Sequence, residues 1–256
     1  MSDIFNLEGK TALVTGGSRG IGYMIAHGFV SRGVKVYISS RKADVCDAAA
    51  RKLGELGDCV SIPADISKIE EIDKLVALVA AESSGINILV NNAGATWGAK
   101  LDEFPEAGWD KVLNTNSKGI FFLTQKLLPM LESAATKENP ASVINIGSID
   151  GLHTSLFENF SYGASKAAVH HMTKVLATHL APRSITVNCI APGPFATDMM
   201  APMIEQMEET IVGQVPLKRM GGPDDIAGLT TLLASRAGAY ITGTVIPLDG
   251  GVMGAS

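Results

Sequence analysis

Tyr162 and Lys166 stand four positions apart, with Ser148 fourteen positions upstream, and these three side chains together could move a proton to or from an oxygen atom. On a helix beginning near Ser161 the tyrosine and lysine lie about 40° apart around the axis and face one pocket. A free tyrosine titrates near ~10, so a phenol working close to neutrality needs a cation beside its phenolate, and Lys166 supplies one. Ser148 follows the apolar run VINIG (Val143 to Gly147), which puts its hydroxyl at a strand end, able to hydrogen-bond an oxygen that gains negative charge. The local sequence IGSID is not a G-x-S-x-G elbow, so hydrolysis through a nucleophilic serine is the weaker account. Alone, the Tyr and Lys only share a helix face. The elements that position them carry the rest of the reading.

Upstream, the short β-rich run Lys10 to Thr15 (KTALVT) leads through TGGSRGIG at Thr15 to Gly22 into helical apolar spacing at Ile21, Ile25, Ala26, Phe29 and Val30. In this strand-to-helix turn Gly16, Gly20 and Gly22 permit a tight bend and close backbone approach, and free N–H groups at the helix start attract the anion of a pyrophosphate. The spacing differs from the usual G-x-G-x-x-G, since three residues separate Gly16 and Gly20. The second strand, Lys35 to Ser39 (KVYIS), would end on an acidic residue if it held the ribose hydroxyl of NAD, but Ser40, Arg41 and Lys42 stand there. Arg41, with Arg19 from the glycine turn, offers charge-assisted hydrogen bonds to a 2′-phosphate, which favours NADP(H). Two solvated surface arginines are the plainer alternative.

The motifs TGGSRGIG, NNAG at Asn91 to Gly94, NSKG around Asn116, Ser148, YGASK at Tyr162 to Lys166 and PGPFATDM at Pro192 to Met199 resemble those of the short-chain dehydrogenase/reductase family, over nearly the entire chain. Within it the chain is similar to 3-oxoacyl reductases, including those linked with rhamnolipid synthesis, through NNAGATWGA at Asn91 to Ala99 and IPLDGG at Ile246 to Gly251. The resemblance implies a catalytic group of Asn116, Ser148, Tyr162 and Lys166, in which Lys166 also holds the nicotinamide ribose and Asn116 joins a water-linked proton relay. A structural, helix-distorting asparagine is the other reading of Asn116. The resemblance implies cofactor contacts from Gly16, Ser18, Arg19, Gly20, Ile21, Gly22, Arg41, Asn92, Ala93, Gly94, Tyr162, Lys166, Pro192, Gly193 and Thr197. Asp65 is a candidate for the adenine, or simply a solvated aspartate at a helix start. The interval from Ser148 to Tyr162 is one residue longer than the family's commonest spacing, so the loop between them is expected to differ in shape.

With 256 residues, 46% of them hydrophobic, the chain suits a single α/β domain. Candidate strands at Lys10 to Thr15, Lys35 to Ser39, Cys59 to Pro63, Ile88 to Asn91, Ser142 to Ile146, Thr186 to Ile190 and Thr244 to Leu248 alternate with helical segments, which predicts a doubly wound parallel sheet of Rossmann type, with ligand beyond the carboxyl ends of the strands. The polar stretch Ser133 to Pro140 should end a long helix before the next buried strand. A formal net charge of −5 gives no basic footprint for nucleic acid. No signal core or bilayer-length apolar run is present, so a soluble cytoplasmic protein is expected, without membrane contact. Cys46, Cys59 and Cys189 read as reduced thiols, and the adjacent His170 and His171 point in different helical directions, so no metal is expected.

Pro194 to Met220 reads as a substrate lid, with Met199, Met200, Met203, Met207 and Met220 suited to an oily ligand or to an ordinary core. The preferred activity is reduction of a carbonyl by NADPH, on a 3-oxoacyl thioester. Alternatives are a dehydrogenase/reductase of a sugar, polyol, steroid or other small alcohol, and a cofactor-binding regulator with a vestigial site. By family resemblance the long helices at Trp109 to Leu131 and Ser161 to Leu180, with the terminal strand at Thr244 to Gly251, imply a homotetramer.

Overall fold

A computed structural model describes residues 3–154, 157–197 and 201–255, with the side chains of 201–207 excepted. Seven parallel strands form one sheet in the order β3-β2-β1-β4-β5-β6-β7. They are β1 (Thr11–Thr15), β2 (Lys35–Ser39), β3 (Cys59–Ser61), β4 (Ile88–Asn91), β5 (Ala141–Ile146), β6 (Ile185–Pro192) and β7 (Val245–Leu248). The helices are α1 (Gly20–Val30), α2 (Ala43–Gly54), α3 (Ile69–Glu82), α4 (Glu106–Leu113), α5 (Gly119–Ala134), α6 (Phe160–Leu180), α7 (Ala201–Gln214) and α8 (Pro223–Ala234). β2 and β4 have the bounds expected from the sequence; β3 stops at Ser61, and β6 runs on to Pro192.

Each inner strand is apolar at consecutive positions because both faces are covered. Alternation divides the core: Ala12, Val14, Val36, Ile38, Ile144 and Ile146 pack with α1, α2 and α8 through Ile25, Phe29, Leu53 and Leu233. Leu13, Tyr37, Leu89, Val143 and Val187 pack on the opposite face with α3, α5 and α6 through Ile72, Leu75, Leu123, Leu127 and Leu180. The chain reverses its winding between β1 and β4, which are hydrogen-bonded neighbours, and the crevice beyond the carboxyl ends of such a switch point is where ligands bind in these sheets. Asn91 lies opposite Asn145 in the β4–β5 register. Its Nδ2 donates to Asn145 Oδ1 (2.9 Å) and Thr124 Oγ1 (3.1 Å), and Asn145 Nδ2 donates to Thr173 Oγ1 (2.9 Å). This buried amide chain ties β4 and β5 to α5 and α6 just below the site.

Candidate active site

Ser148 leaves β5 in extended geometry and caps a short 3-10 turn at Ile149–Gly151; its Oγ accepts from Asp150 N at 3.1 Å, so the hydroxyl proton remains available to a partner in the crevice. Tyr162 and Lys166 project from the first two turns of α6. The Ser148 hydroxyl lies near enough to the Tyr162 phenol to favour its ionised form, and Lys166 Nζ sits 5.4 Å from the centre of the Tyr162 ring while donating to Ile146 O at 2.8 Å. The three side chains therefore meet.

Their electrostatics differ from the expectation that Lys166 alone draws the phenol toward neutrality. Burial pushes Tyr162 up to about 12; the Ser148 hydroxyl opposes this and Asp150 adds to it. Burial also lowers Lys166 to about 8, with Cys189 and Asp150 acting in the other direction. The ammonium is directed at the Ile146 carbonyl and lies over the ring face, so desolvation outweighs its pull on the phenol.

Asn116 lies in a π turn (Asn114–Lys118) between α4 and α5, a local widening of the helix often found at functional sites. The side chain pairs with a backbone peptide: Oδ1 accepts from Ala95 N (2.8 Å), and Nδ2 donates to Ala95 O (2.9 Å) and Ser165 Oγ (2.9 Å). A Cβ on Gly94 would come 3.4 Å from Asn116 Oδ1 and 3.9 Å from Lys166 Nζ, which places both residues around that glycine.

The glycine turn is clamped to the end of β4. Thr15 Oγ1 accepts from Asn92 N (3.0 Å) and Ala93 N (3.1 Å), and Asn92 Nδ2 donates to Thr15 O (2.9 Å) and Gly16 O (3.3 Å). The Asn92 Nδ2 is thus committed to the turn, which leaves Asn92 Oδ1 and the local backbone as the groups with which this segment could meet a ligand. Gly16 and Gly20 have φ of +66° and +53°, and a Cβ on Gly22 would lie 2.3 Å from Gly16 O. Arg19 is an extended N-cap without a side-chain cap, and no acidic residue occupies the first turn of α1, so Gly20, Ile21 and Gly22 open the helix toward an anion.

Ser18 lies within this turn, and Thr197 touches its far side, its Cβ 3.4 Å from a Cβ built on Gly20. Pro192 ends β6, and Gly193 N donates to Leu248 O at 3.0 Å. At the ends of β2 and β3 the hydroxyls of Ser39, Ser40 and Ser61 are buried without a hydrogen-bond partner, beside exposed Arg41. Orphaned hydroxyls and an exposed guanidinium next to an anion-ready turn fit an adenosine dinucleotide with a 2′-phosphate. Asp65 is engaged locally, its Oδ1 accepting from Ser67 N (3.1 Å) and Ser67 Oγ (2.7 Å), which favours the structural reading. The two ends of the segment that the sequence suggests as a lid are held together by Gly221 N donating to Pro194 O (2.9 Å), with the Phe195 ring over Gly221. Met199, Met200 and the side chains of Met203 and Met207 lie outside the described residues. The sequence reading missed Thr15, Ser165 and Asp150. Thr15 and Ser165 lie inside the motifs TGGSRGIG and YGASK, and Asp150 stands two positions after Ser148, so position within or beside a motif was the available signal.

Among the described residues no helix is long and apolar enough to cross a membrane. The family described as enoyl-(acyl carrier protein) reductase matches residues 16–253. A rhamnolipids biosynthesis 3-oxoacyl-[acyl-carrier-protein] reductase of Pseudomonas aeruginosa is 45% identical over 98% of this chain and 99% of its own. The 3-oxoacyl-[acyl-carrier-protein] reductase FabG of Thermotoga maritima is 35% identical over 96% of this chain and 99% of its own. The solved Pseudomonas aeruginosa RhlG/NADP active-site complex superposes with a TM-score of 0.95 at 44% identity, covering 98% of this chain and 99% of that one. With matches of this extent and a Ser, Tyr and Lys brought together at the switch point of a parallel sheet, the chain belongs to the short-chain dehydrogenase/reductase family.

Proposed function

We propose that the chain is an NADPH-dependent reductase that converts the ketone of a 3-oxoacyl thioester to a secondary alcohol. The observation that carries this reading is the convergence of Ser148, Tyr162 and Lys166 beside the clamped glycine turn. Tyr162 gives its phenolic proton to the ketone oxygen. Ser148, whose Oγ already accepts from Asp150 N, directs its own proton to the same oxygen as negative charge gathers there. Lys166, at about 8, remains mostly protonated at neutral pH and balances the phenolate left behind. Asn116 stands behind Lys166 and leads to it through water, the role that family resemblance suggests. With reduced nicotinamide bound, the ketone carbon would receive its hydride from that cofactor. Ser18, Arg19, Gly20 and Ile21 would hold the pyrophosphate end, Arg41 the 2′-phosphate, and Gly94, Pro192, Gly193 and Thr197 the nicotinamide side. The NADP complex of the related solved structure supports this cofactor.

An apolar rim supports the acyl substrate. Leu152 and Phe157, on the loop between Ser148 and Tyr162, are 41% and 49% exposed, and Leu101 is 73% exposed. Ala99 N bonds Glu158 O at 3.1 Å, which brings the two segments together. An exposed apolar rim beside a polar site suits an oily tail. The test is NADPH oxidation over a series of 3-oxoacyl thioesters. Each buried methylene contributes roughly 0.8 kcal/mol at most, so kcat/KM should rise several-fold over two added carbons. A flat or falling series, or turnover of polar sugars alone, returns the chain to a sugar or polyol dehydrogenase; turnover of 2-enoyl thioesters alone returns it to the activity that names the matched family. No turnover anywhere makes it a cofactor-binding regulator. We read the molecule as a cytoplasmic homotetramer associating through α5 and α6, where Phe121 and Val175 are exposed; a stable monomer at micromolar concentration in light scattering would refute that assembly.

A further inference from the structure

Asp150 has no part in the mechanism above, yet the turn that carries it is pressed against the helix of Tyr162. A Cβ on Gly151 would lie 2.7 Å from Ala167 N and from Lys166 C, and one on Gly163 would lie 3.2 Å from Asp150 O. The turn can approach this closely because both positions are glycine. The Asp150 carboxylate is half-buried, receives a long hydrogen bond from Asn159 Nδ2 (3.5 Å) and lies 3.9 Å from His153 Nε2. Asn159 is the N-cap residue of α6, and no acidic residue occupies that helix's own first turn. The carboxylate therefore stands beside the positive end of α6, two residues after Ser148 and bonded to Asn159, whose carbonyl accepts from Tyr162 N. The titratable groups facing this cluster are His153 on the turn, Tyr162, Lys166 and His170 on α6, and Cys189 on β6.

We propose that Asp150 is a positioning residue that acts through Tyr162: a fixed negative charge that keeps the phenol protonated and so favours its use as an acid over its use as a base. This deepens the reductase reading and rests on it for the direction of physiological use. In reduction Tyr162 must carry its proton. In the reverse reaction the alcohol's O–H proton passes to the Tyr162 phenolate while its C–H hydride leaves to the oxidised nicotinamide cofactor, so the phenolate must form first. A like charge nearby opposes that ionisation, in accord with the upward push that Asp150 gives Tyr162. Asp150 leaves the equilibrium of the overall reaction untouched. It widens the pH range in which the enzyme reduces and raises the pH at which it oxidises.

The experiment compares the native chain with Asp150→Asn and Asp150→Glu, each also carrying Tyr162→Phe as a blank. Without cofactor or substrate, the difference in ultraviolet phenolate absorbance between each protein and its blank follows Tyr162 alone. Asp150→Asn should move that titration down by roughly one unit, and Asp150→Glu should leave it near the native position. The alkaline limb of kcat/KM for alcohol oxidation, measured with whichever alcohol turns over, should move the same way. Titrations that coincide in all three proteins, or an upward move in Asp150→Asn, overturn the proposal. So does a loss of thermal stability with an unmoved titration, which would make Asp150 only a charge at the start of α6. Because the absorbance titration uses no substrate, it decides the matter even if 3-oxoacyl thioesters prove not to be substrates.

Discussion

Gly22→Ala puts a methyl group into the tightest contact of the cofactor turn. The new Cβ would lie 2.3 Å from Gly16 O, 2.4 Å from Asn92 Nδ2 and 2.8 Å from Gly16 C. Two of these are atoms of a single peptide that follows a residue held at both flanks, so the clash has two ways out. If the Asn92 amide swings away, its bonds to Thr15 O and Gly16 O are lost, at about 0.5–1.5 kcal/mol each. If the Gly16 peptide moves, overpacking costs about 1–3 kcal/mol. Either route comes to about 1–3 kcal/mol. Strain that is present with and without ligand lowers the unfolding midpoint, by roughly 2–4 °C per kcal/mol for a chain of this size. Strain that is relieved by reshaping the turn appears in NADPH affinity instead, roughly fivefold to 150-fold weaker. The assay is fluorescence titration of NADPH together with a thermal melt, so that the two losses are read on one preparation. Gly54→Ala on α2, where a Cβ meets nothing within 4 Å, is the control and should gain up to about 1 kcal/mol of stability. A Gly22→Ala protein that melts normally and binds NADPH within about twofold of the native value would refute the packing of the turn.

Tyr162→Phe removes only the phenolic hydroxyl, so kcat should fall about 10²- to 10⁴-fold while NADPH titration is unchanged; near-native turnover removes Tyr162 as the acid. Arg41→Asp replaces an exposed cation with a repelling carboxylate and should reverse a preference for NADPH over NADH, read as the ratio of their kcat/KM values; a native preference for NADH, or an unchanged ratio, contradicts the 2′-phosphate assignment. His170 is buried behind Gly147 and Gly151, and burial lowers its pKa from 6.5 against the opposing influence of the Gly151 backbone. The unfolded chain therefore takes up a proton that the folded chain resists, and stability present above pH ~6.5 is lost as pH falls below it. Denaturant unfolding at pH 7.5 and pH ~5.5 should show that loss in the native chain and a smaller one in His170→Leu; equal losses in both would assign the dependence elsewhere.

What could be read from the sequence follows the range of the forces involved. β2 and β4 end where expected because the apolar cores of KVYIS and ILVN are bounded by their own polar residues, Lys35, Ser39 and Asn91. β3 is two residues shorter than its sequence suggests because its end is set by a neighbour: pairing stops at Ile38 with Ser61, Ile62 N still reaches Ile38 O, and Pro63 has no N–H to continue. β6 was read short for the converse reason, since β7 pairs with it as far as Pro192 opposite Leu248. The Ser148, Tyr162 and Lys166 group was legible because its spacing is local to one strand end and one helix. The clamp on the glycine turn was not: Thr15 and Asn92 are 77 positions apart, and no pattern within either segment announces the other. Asn116 shows the same limit, because a polar residue amid apolar helix asks for a partner without naming it, and the partner is the Ala95 peptide, 21 positions away. Lys10 stands just before β1, where the sequence reads as an ordinary strand-end lysine, yet it is buried, bonded to Asn139 Oδ1 (2.8 Å) and Ala234 O (2.7 Å), and lowered to about 8 by that burial. In each case the residue type states a need and only the fold states how it is met. The same holds at the active site, where the spacing of Tyr162 and Lys166 announces a proton donor and its cation, while the burial of both and the charge on Asp150 decide at which pH that proton moves.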